Sequence, residues 1–277
     1  MTDAVKLQAA LADLQTFLGD RATNGVVHRM AYSRDWSPRY KDMTDLPDIV
    51  VVPQDTDEVV KLVQVALKHE LPVVPFAGGT GMGGGVVAWK GGIMVETKGM
   101  NKVLEIDPDN MSVTVQAGIT IWELNEFLAP YGLWLPHQPE SKRACTIGAS
   151  IGCDNDSTFG VRYGKILDCL TNAVVVTGRG EKVRLGHRKA SFSSTGYNLM
   201  HLLVAAEGTL GVVTEATLRV VPLTRTRAHR GWVFPTLIRG AHALERTLAR
   251  GLSVDSAHQN CRQRLHLKTQ AARHHTV

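Results

Sequence analysis

The feature that most narrows the possible folds is the stretch Pro75-Phe76-Ala77-Gly78-Gly79-Thr80-Gly81-Met82-Gly83-Gly84-Gly85, which holds six glycines. A β-branched run leads into it, and the apolar run Ile93-Met94-Val95 follows it. Glycine lacks a Cβ and tolerates positive φ, so successive glycines let backbone N–H groups converge on a pyrophosphate at distances a side chain would block. The loop points to a dinucleotide ligand. A glycine-rich surface turn is the plainer alternative.

Two familiar phosphate motifs fail here. Gly79, Gly81 and Gly84 satisfy G-x-G-x-x-G, and Glu96 stands about where an acidic ribose partner belongs. That fingerprint, however, must open a crossover helix, and only residues 86–92 separate the last glycine from the next strand. No Gly-Lys-Ser/Thr closes the run, so a Walker A loop is excluded as well.

Apolar periodicity supplies the rest of the outline. Helices are expected over residues 4–18, stopped by Gly19, over 55–70, capped by Asp55 or Thr56, and over 120–129, capped by Thr120. Strands are expected over 48–53 and 71–76, making a small α/β lobe before the glycine loop. Further strands at 93–96, 103–106 and 112–117, separated by turn residues, suggest antiparallel neighbours. A hairpin over 170–177 and 182–185 and a strand over 212–221 complete the series. Residues 136–164, rich in Gly, Ser, Asn and Pro, are expected as a long functional loop.

Composition bounds the class. The chain has 277 residues, 44% of them hydrophobic, enough for a sizeable core. No apolar run approaches the roughly 20 residues of a membrane span, and Met1-Thr2-Asp3-Ala4 lacks the pattern of a signal peptide, so a cytoplasmic location is expected. Cys145, Cys153, Cys169 and Cys261 have neither metal-site spacing nor disulfide density and are expected to be reduced and mostly buried. The net charge of +5 is uneven: residues 225–277 contribute +8 and the rest −3. That tail carries six of the eleven histidines, and residues 259–277 show neither apolar period nor caps. A solvated end is the plain reading and a basic docking segment the sharper one. Apart from Trp232 and Phe234, no aromatic residue interleaves with its arginines, which argues against nucleic-acid binding.

Seven pieces in order carry a resemblance: Pro47-Asp48-Ile49-Val50-Val51-Val52-Pro53, the loop 75–85, Val115-Gln116-Ala117-Gly118, Cys145-Thr146-Ile147-Gly148, Arg162-Tyr163-Gly164, Gly196-Tyr197-Asn198-Leu199 and Glu207-Gly208-Thr209-Leu210-Gly211. Over about residues 45–222 the chain resembles the FAD-binding domain of the vanillyl-alcohol-oxidase-type flavoproteins, in the branch of D-lactate dehydrogenase, glycolate oxidase flavin subunits and alkylglycerone-phosphate synthase. The resemblance implies an α+β fold, a two-lobed PCMH-type FAD-binding domain with a small α/β lobe and a larger lobe of antiparallel strands and flanking helices. It divides the chain into an N-terminal helical segment (1–44), the FAD-binding domain (45–222) and an atypical basic tail (223–277).

The same resemblance assigns parts of the cofactor to residues. Pro75, Gly78, Gly79, Thr80, Gly81, Met82 and Gly83 would meet the pyrophosphate. Pro139, Glu140, Ser141, Thr146 and Gly148 would line the ribityl chain and flavin. Glu207, Gly208 and Val213 would stand beside the adenosine, although Glu207 also reads as a solvated turn carboxylate. The loop has no histidine of the kind that attaches flavin in some members, so non-covalent FAD is expected. His137 is the nearest histidine to the flavin segment, and Asn155-Asp156-Ser157 replaces the small run usual in this branch.

Relatives of this kind place the substrate against a C-terminal cap domain that supplies a base and any metal-binding histidines. Only 55 residues follow Pro222, and His274-His275 reads as solvated rather than coordinating. A truncation or frame change near residue 224 is therefore expected, and no catalytic residue is assigned. Two functions follow: an FAD-dependent oxidoreductase for a small 2-hydroxy acid, or a flavin-binding subunit or inactive remnant that needs a partner subunit. No metal site, nucleic-acid partner or membrane span is expected.

Overall fold

The computed structural model describes residues 4–38, 45–187, 190, 194–224, 232–251 and 254–255. Helix α1 (Ala4–Leu18) buries Ala10, Leu11, Leu14 and Leu18, close to the expected stripe, but leaves Val5 exposed. Strand β1 (Ala22–Thr23), helix α2 (Val26–Ala31) and strand β2 (Ile49–Val51) follow. Helix α3 (Thr56–Lys68) starts where the Asp55 carboxylate accepts the N–H of Glu58 at 2.9 Å. Its acidic first turn and Lys68 in the last suit the helix dipole. Arg21 fixes its start against the strands by a two-pronged pair with Glu58, both bonds 2.6 Å.

Strands β3 (Val73–Phe76) and β4 (Ile93–Glu96) complete a four-stranded sheet in the order β1-β2-β4-β3. Ile49, Ile93 and Val73 stand side by side and face the core made with α1 and α3. Val50, Met94 and Val74 face the other way, towards Phe76, Ala88 and Tyr32. Both faces are covered, which explains why these strands read as unbroken apolar runs. The antiparallel neighbours expected for residues 93–96 are not there: β4 lies parallel between β2 and β3. The loop 77–92 is long enough to carry the chain back to the start of a parallel strand without a helix.

The large lobe holds β5 (Val103–Asp107), β6 (Ser112–Gln116), α4 (Ile121–Leu128), β7 (Leu133–Trp134), α5 (Ile147–Cys153), α6 (Gly160–Tyr163), α7 (Ile166–Cys169), β8 (Leu170–Thr177), β9 (Lys182–Gly186), α8 (Met200–Leu203), β10 (Gly211–Arg219) and β11 (Val221–Pro222). Five strands form one antiparallel sheet, β5-β6-β10-β8-β9, and β7 pairs with β11. Thr120 caps α4 in a capping box with Glu123, as its sequence predicts.

A bulge in β10 couples the lobes. Val213 and Ala216 pack on the large-lobe core, while Thr214 and Glu215 between them both reach Thr56 at the start of α3. Val176 and Val212 from the large sheet join the core of the small lobe, and Gln116 donates to the carbonyl of Gln54 at 2.9 Å.

Two elements differ from the sequence reading. The span 136–164 is not one loop, because it contains α5 and α6. Helix α5 is short and built of Gly, Ala, Ser and Cys around Ile147 and Ile151, too little for a period to show. Beyond β11, helix α9 (Leu237–Ala249) is capped by Thr236 and buries only Gly240, so part of the tail is helical. Residues 259–277, read as lacking caps and period, lie outside the described residues.

Candidate functional site

The glycine loop leaves the carboxyl edge of the parallel strands, where ligands of open α/β sheets collect. Gly79 (φ +62°) and Gly84 (φ +79°) take left-handed conformations. The loop is held from a distance by Asp35, whose carboxylate accepts the N–H of Gly84 at 2.9 Å and of Ser37 at 2.8 Å. The N–H of Trp36 donates to the carbonyl of Gly81 at 2.9 Å. Among the described residues, the N–H groups of Gly78, Gly79, Thr80, Gly81, Met82 and Gly83 meet no protein acceptor. A Cβ on Gly83 would meet nothing within 4 Å. A row of open backbone donors, with open space at Gly83, fits a diphosphate.

The two lobes meet at this loop. A Cβ on Gly78 would overlap the carbonyl oxygen of Ala144 from the large lobe. Gly208 lies against Pro75, and the Glu207 carboxylate stands 2.9 Å from where a Cβ on Gly85 would be. The N–H of Glu207 in turn donates to Gly152 at the end of α5 (2.9 Å). Glu207 and Ala205 both have positive φ, +49° and +65°, a local strain beside the cleft.

The candidate residues therefore divide. Pro75, Gly78, Gly79, Thr80, Gly81 and Gly83 lie in or beside the loop, and Glu207 and Gly208 come to it from the large lobe. Met82 is 78% exposed. Ser141 accepts the N–H groups of Ala144 and Cys145 at 2.8 Å, shaping the turn that faces Gly78. Thr146, fully buried, caps α5 by accepting the N–H of Ala149, and Gly148 donates to Ala117 at 2.7 Å. Pro139 is buried and Glu140 exposed. Val213 is held by the large-lobe core instead of the loop.

Beside the loop on the small-lobe side lies a cavity of about 370 Å³, lined in part by Tyr32, Arg34, Asp35, Glu96 and Lys98. Sequence reasoning missed the 32–36 part of this wall and Lys98. The Asp35-Trp36-Ser37 turn was its one local signal, since Asp commonly accepts from the N–H two residues on. Glu96 was met only through the rejected fingerprint. Burial pushes the Glu96 carboxyl above its usual range, although it accepts the N–H of Lys98 at 3.0 Å. Burial, and then the neighbouring Glu96, push the Tyr32 phenol up to about 12.

On the large-lobe side, His137 is 1% exposed, and desolvation lowers its pKa to about 4. Asn155 donates its amide to the Cys145 sulfur, so its oxygen accepts from His137 Nε2 at 3.1 Å. That assignment leaves His137 Nδ1 as a buried acceptor with no partner. Ser157 accepts the N–H of Gln138 at 3.0 Å, so the polar 155–157 run, a departure from the resemblance, braces the 137–138 segment. Cys145, Cys153 and Cys169 are free thiols, and burial raises the pKa values of Cys145 and Cys169, the latter to about 11, which disfavours a nucleophilic thiolate at these two. Cys145 and Cys169 are buried and Cys153 is exposed, so the described thiols are mostly buried, as expected.

Residues 47–186 match a family model described as FAD binding domain. A glycolate oxidase subunit of Bacillus subtilis is 36% identical over 199 residues, 72% of this chain and 42% of that protein. A mitochondrial D-lactate dehydrogenase (cytochrome) of Arabidopsis thaliana is 32% identical over 244 residues, 88% of this chain and again 42% of the relative. Among solved structures, an alkyldihydroxyacetonephosphate synthase superposes with a TM-score of 0.79 at 27% identity, covering 88% of this chain and 46% of its own. The chain thus spans less than half the length of these relatives.

Proposed function

We propose, for a chain that belongs to the FAD binding domain family, that it holds FAD without a covalent bond and forms the flavin-holding part of an oxidoreductase for a small D-2-hydroxy acid. The observation that carries this reading is the convergence on one loop of open N–H donors, the 141–148 turn and the Glu207-Gly208 turn. Gly78, Gly79, Thr80, Gly81, Met82 and Gly83 bind the diphosphate, and Pro75 supports them. Pro139, Glu140, Ser141, Thr146 and Gly148 line the flavin arm, and Glu207, Gly208 and Val213 the adenosine arm. Bound FAD would supply a hydride acceptor for the α-carbon of the hydroxy acid. This chain's own part is to bind and orient: the loop neutralises phosphate charge, and the buried 136–139 segment keeps water from one side.

Non-covalent attachment is supported by the loop, which has no histidine or cysteine, and by the burial of His137. The relatives' printed names supply the substrate class, lactate or glycolate. We place the FAD-binding domain in residues 45–222, with the N-terminal segment (1–44) packed against it and supplying Asp35 to the loop, and the tail (223–277) after it. The free thiols fit a reducing, cytoplasmic setting.

A second reading is a flavin-holding subunit that depends on a partner for its substrate groups. One observation favours it: among the described residues no histidine lines the cavity. The test is the absorbance spectrum of the purified chain, before and after anaerobic D-lactate or glycolate, followed by acid precipitation. A flavin spectrum that bleaches, with flavin released into the supernatant, supports the first reading. A persistent spectrum supports the second, and the absence of flavin overturns both.

A further inference from the structure

The cavity beside the glycine loop holds two cationic side chains in addition to the backbone cradle, and two carboxylates stand in the same wall. Arg34 and Lys98 both line it, and both are exposed there. Among the described residues neither side chain forms an ion pair within 4.0 Å of a carboxylate, although Lys98 interacts electrostatically with Glu96. The two carboxylates in the same wall are turned to other donors. Asp35 takes the N–H groups of Gly84 and Ser37, while Glu96 takes the N–H of Lys98 and is held by the Tyr32 hydroxyl. The two cations therefore line the same cavity as Gly78 and Gly79, whose N–H groups meet no protein acceptor among the described residues. They reach it from far apart in the chain, from the segment after α2 and from the turn after β4.

We propose that Arg34 and Lys98, together with the N–H groups of Gly78 and Gly79, form an anion subsite that takes the diphosphate of a bound dinucleotide. The assignment rests on the flavin reading and adds to it two side chains from outside the glycine motif. Arg34 provides a planar fork that can span two phosphate oxygens, and Lys98 a single mobile charge. The site thus selects for the diphosphate and contributes nothing to recognition of the flavin ring.

The test is calorimetric titration of the unaltered chain, Arg34→Gln, Lys98→Gln and the double variant with FAD, ADP, riboflavin, inorganic phosphate and inorganic diphosphate. Lys102→Gln, outside the cavity, serves as the control. Each single change is expected to weaken FAD and ADP about tenfold and the double change roughly fiftyfold, with riboflavin and the control within about twofold. The salt dependence of FAD binding flattens in the double variant. FAD and ADP bound equally well by all variants would overturn the subsite and leave the flavin reading standing, as would riboflavin bound as tightly as FAD. ADP and diphosphate bound without riboflavin would uphold the subsite and overturn the flavin reading. Phosphate bound as tightly as diphosphate would identify a general anion site and overturn the diphosphate assignment, and no binding of any probe would overturn both.

Discussion

The two sides of the cleft present backbone in opposite states. On the small-lobe side, the N–H groups from Gly78 to Gly83 meet no acceptor among the described residues, and Gly83 has open space where a side chain would be. On the large-lobe side the N–H groups are engaged internally: Ala144 and Cys145 donate to Ser141, Ile147 to Ile119 and Gly148 to Ala117. Glycines serve both sides for different reasons. A Cβ on Gly118 would overlap the Thr97 carbonyl, so that glycine makes room for the protein itself, whereas Gly83 leaves room for something else. The open side is held in shape by one distant carboxylate, and the other side is closed by its own packing.

The largest effect is expected from Gly118→Ala, which would force a methyl group against the carbonyl oxygens of Thr97 and Met100. Backbone atoms cannot swing aside, so a loss of more than about 3 kcal/mol is expected, read as a lowered urea midpoint or an insoluble chain. A soluble variant of unchanged midpoint would break the comparison. Next comes acid. Because burial lowers the His137 pKa to about 4, the unfolded chain accepts a proton near pH 6.5 that the folded chain refuses until about 4. Stability is complete above about 6.5 and falls as pH drops through that window, by roughly 3 kcal/mol at full extent. His137→Gln should flatten this slope in a melting series from pH 7 to 4, and an unchanged slope would assign the acid sensitivity elsewhere.

On the open side the effects on stability shrink and those on binding grow. Asp35→Ala removes the acceptor of Gly84 and Ser37 and should cost about 2 kcal/mol, with FAD affinity reduced at least tenfold as the loop loses its shape. Only partial recovery is expected in Asp35→Asn, whose single oxygen can accept from one of the two N–H groups, and full recovery would untie the loss from these bonds. Smallest of all is Gly83→Ala: within about 0.5 kcal/mol of the unaltered midpoint, yet weaker in FAD titration because a methyl group enters the ligand's space. If its midpoint fell as far as that of Gly118→Ala, the contrast between the two kinds of glycine would not hold.

How much of this was legible in the sequence follows from how local each signal is. The amphipathic α3 and its Asp55 cap, the capping box of α4 and the β8–β9 hairpin are encoded by neighbours within a few residues, and they stand where periodicity puts them. The glycine loop was visible for the same reason. Asp35 was not, because its partner Gly84 lies 49 positions away and nothing near Asp35 announces the pairing. The parallel pairing of β4 was misread because turn residues on both sides of a strand describe its ends and not its neighbours. Helix α5 escaped notice because small residues carry no apolar stripe, although Thr146 three residues before Ala149 is an ordinary N-cap.

Helix α3 also bears on how a ligand could enter and leave. Its core includes Val176 and Val212 from the opposite sheet, and Thr56 at its first turn is bonded to Thr214. A hinge between the lobes would have to pull those valines into water and break that hydroxyl pair, so the packing opposes separation of the two halves. The stretch around Asp35 and Trp36, by contrast, belongs to neither sheet and is tied to the loop through Gly81 and Gly84.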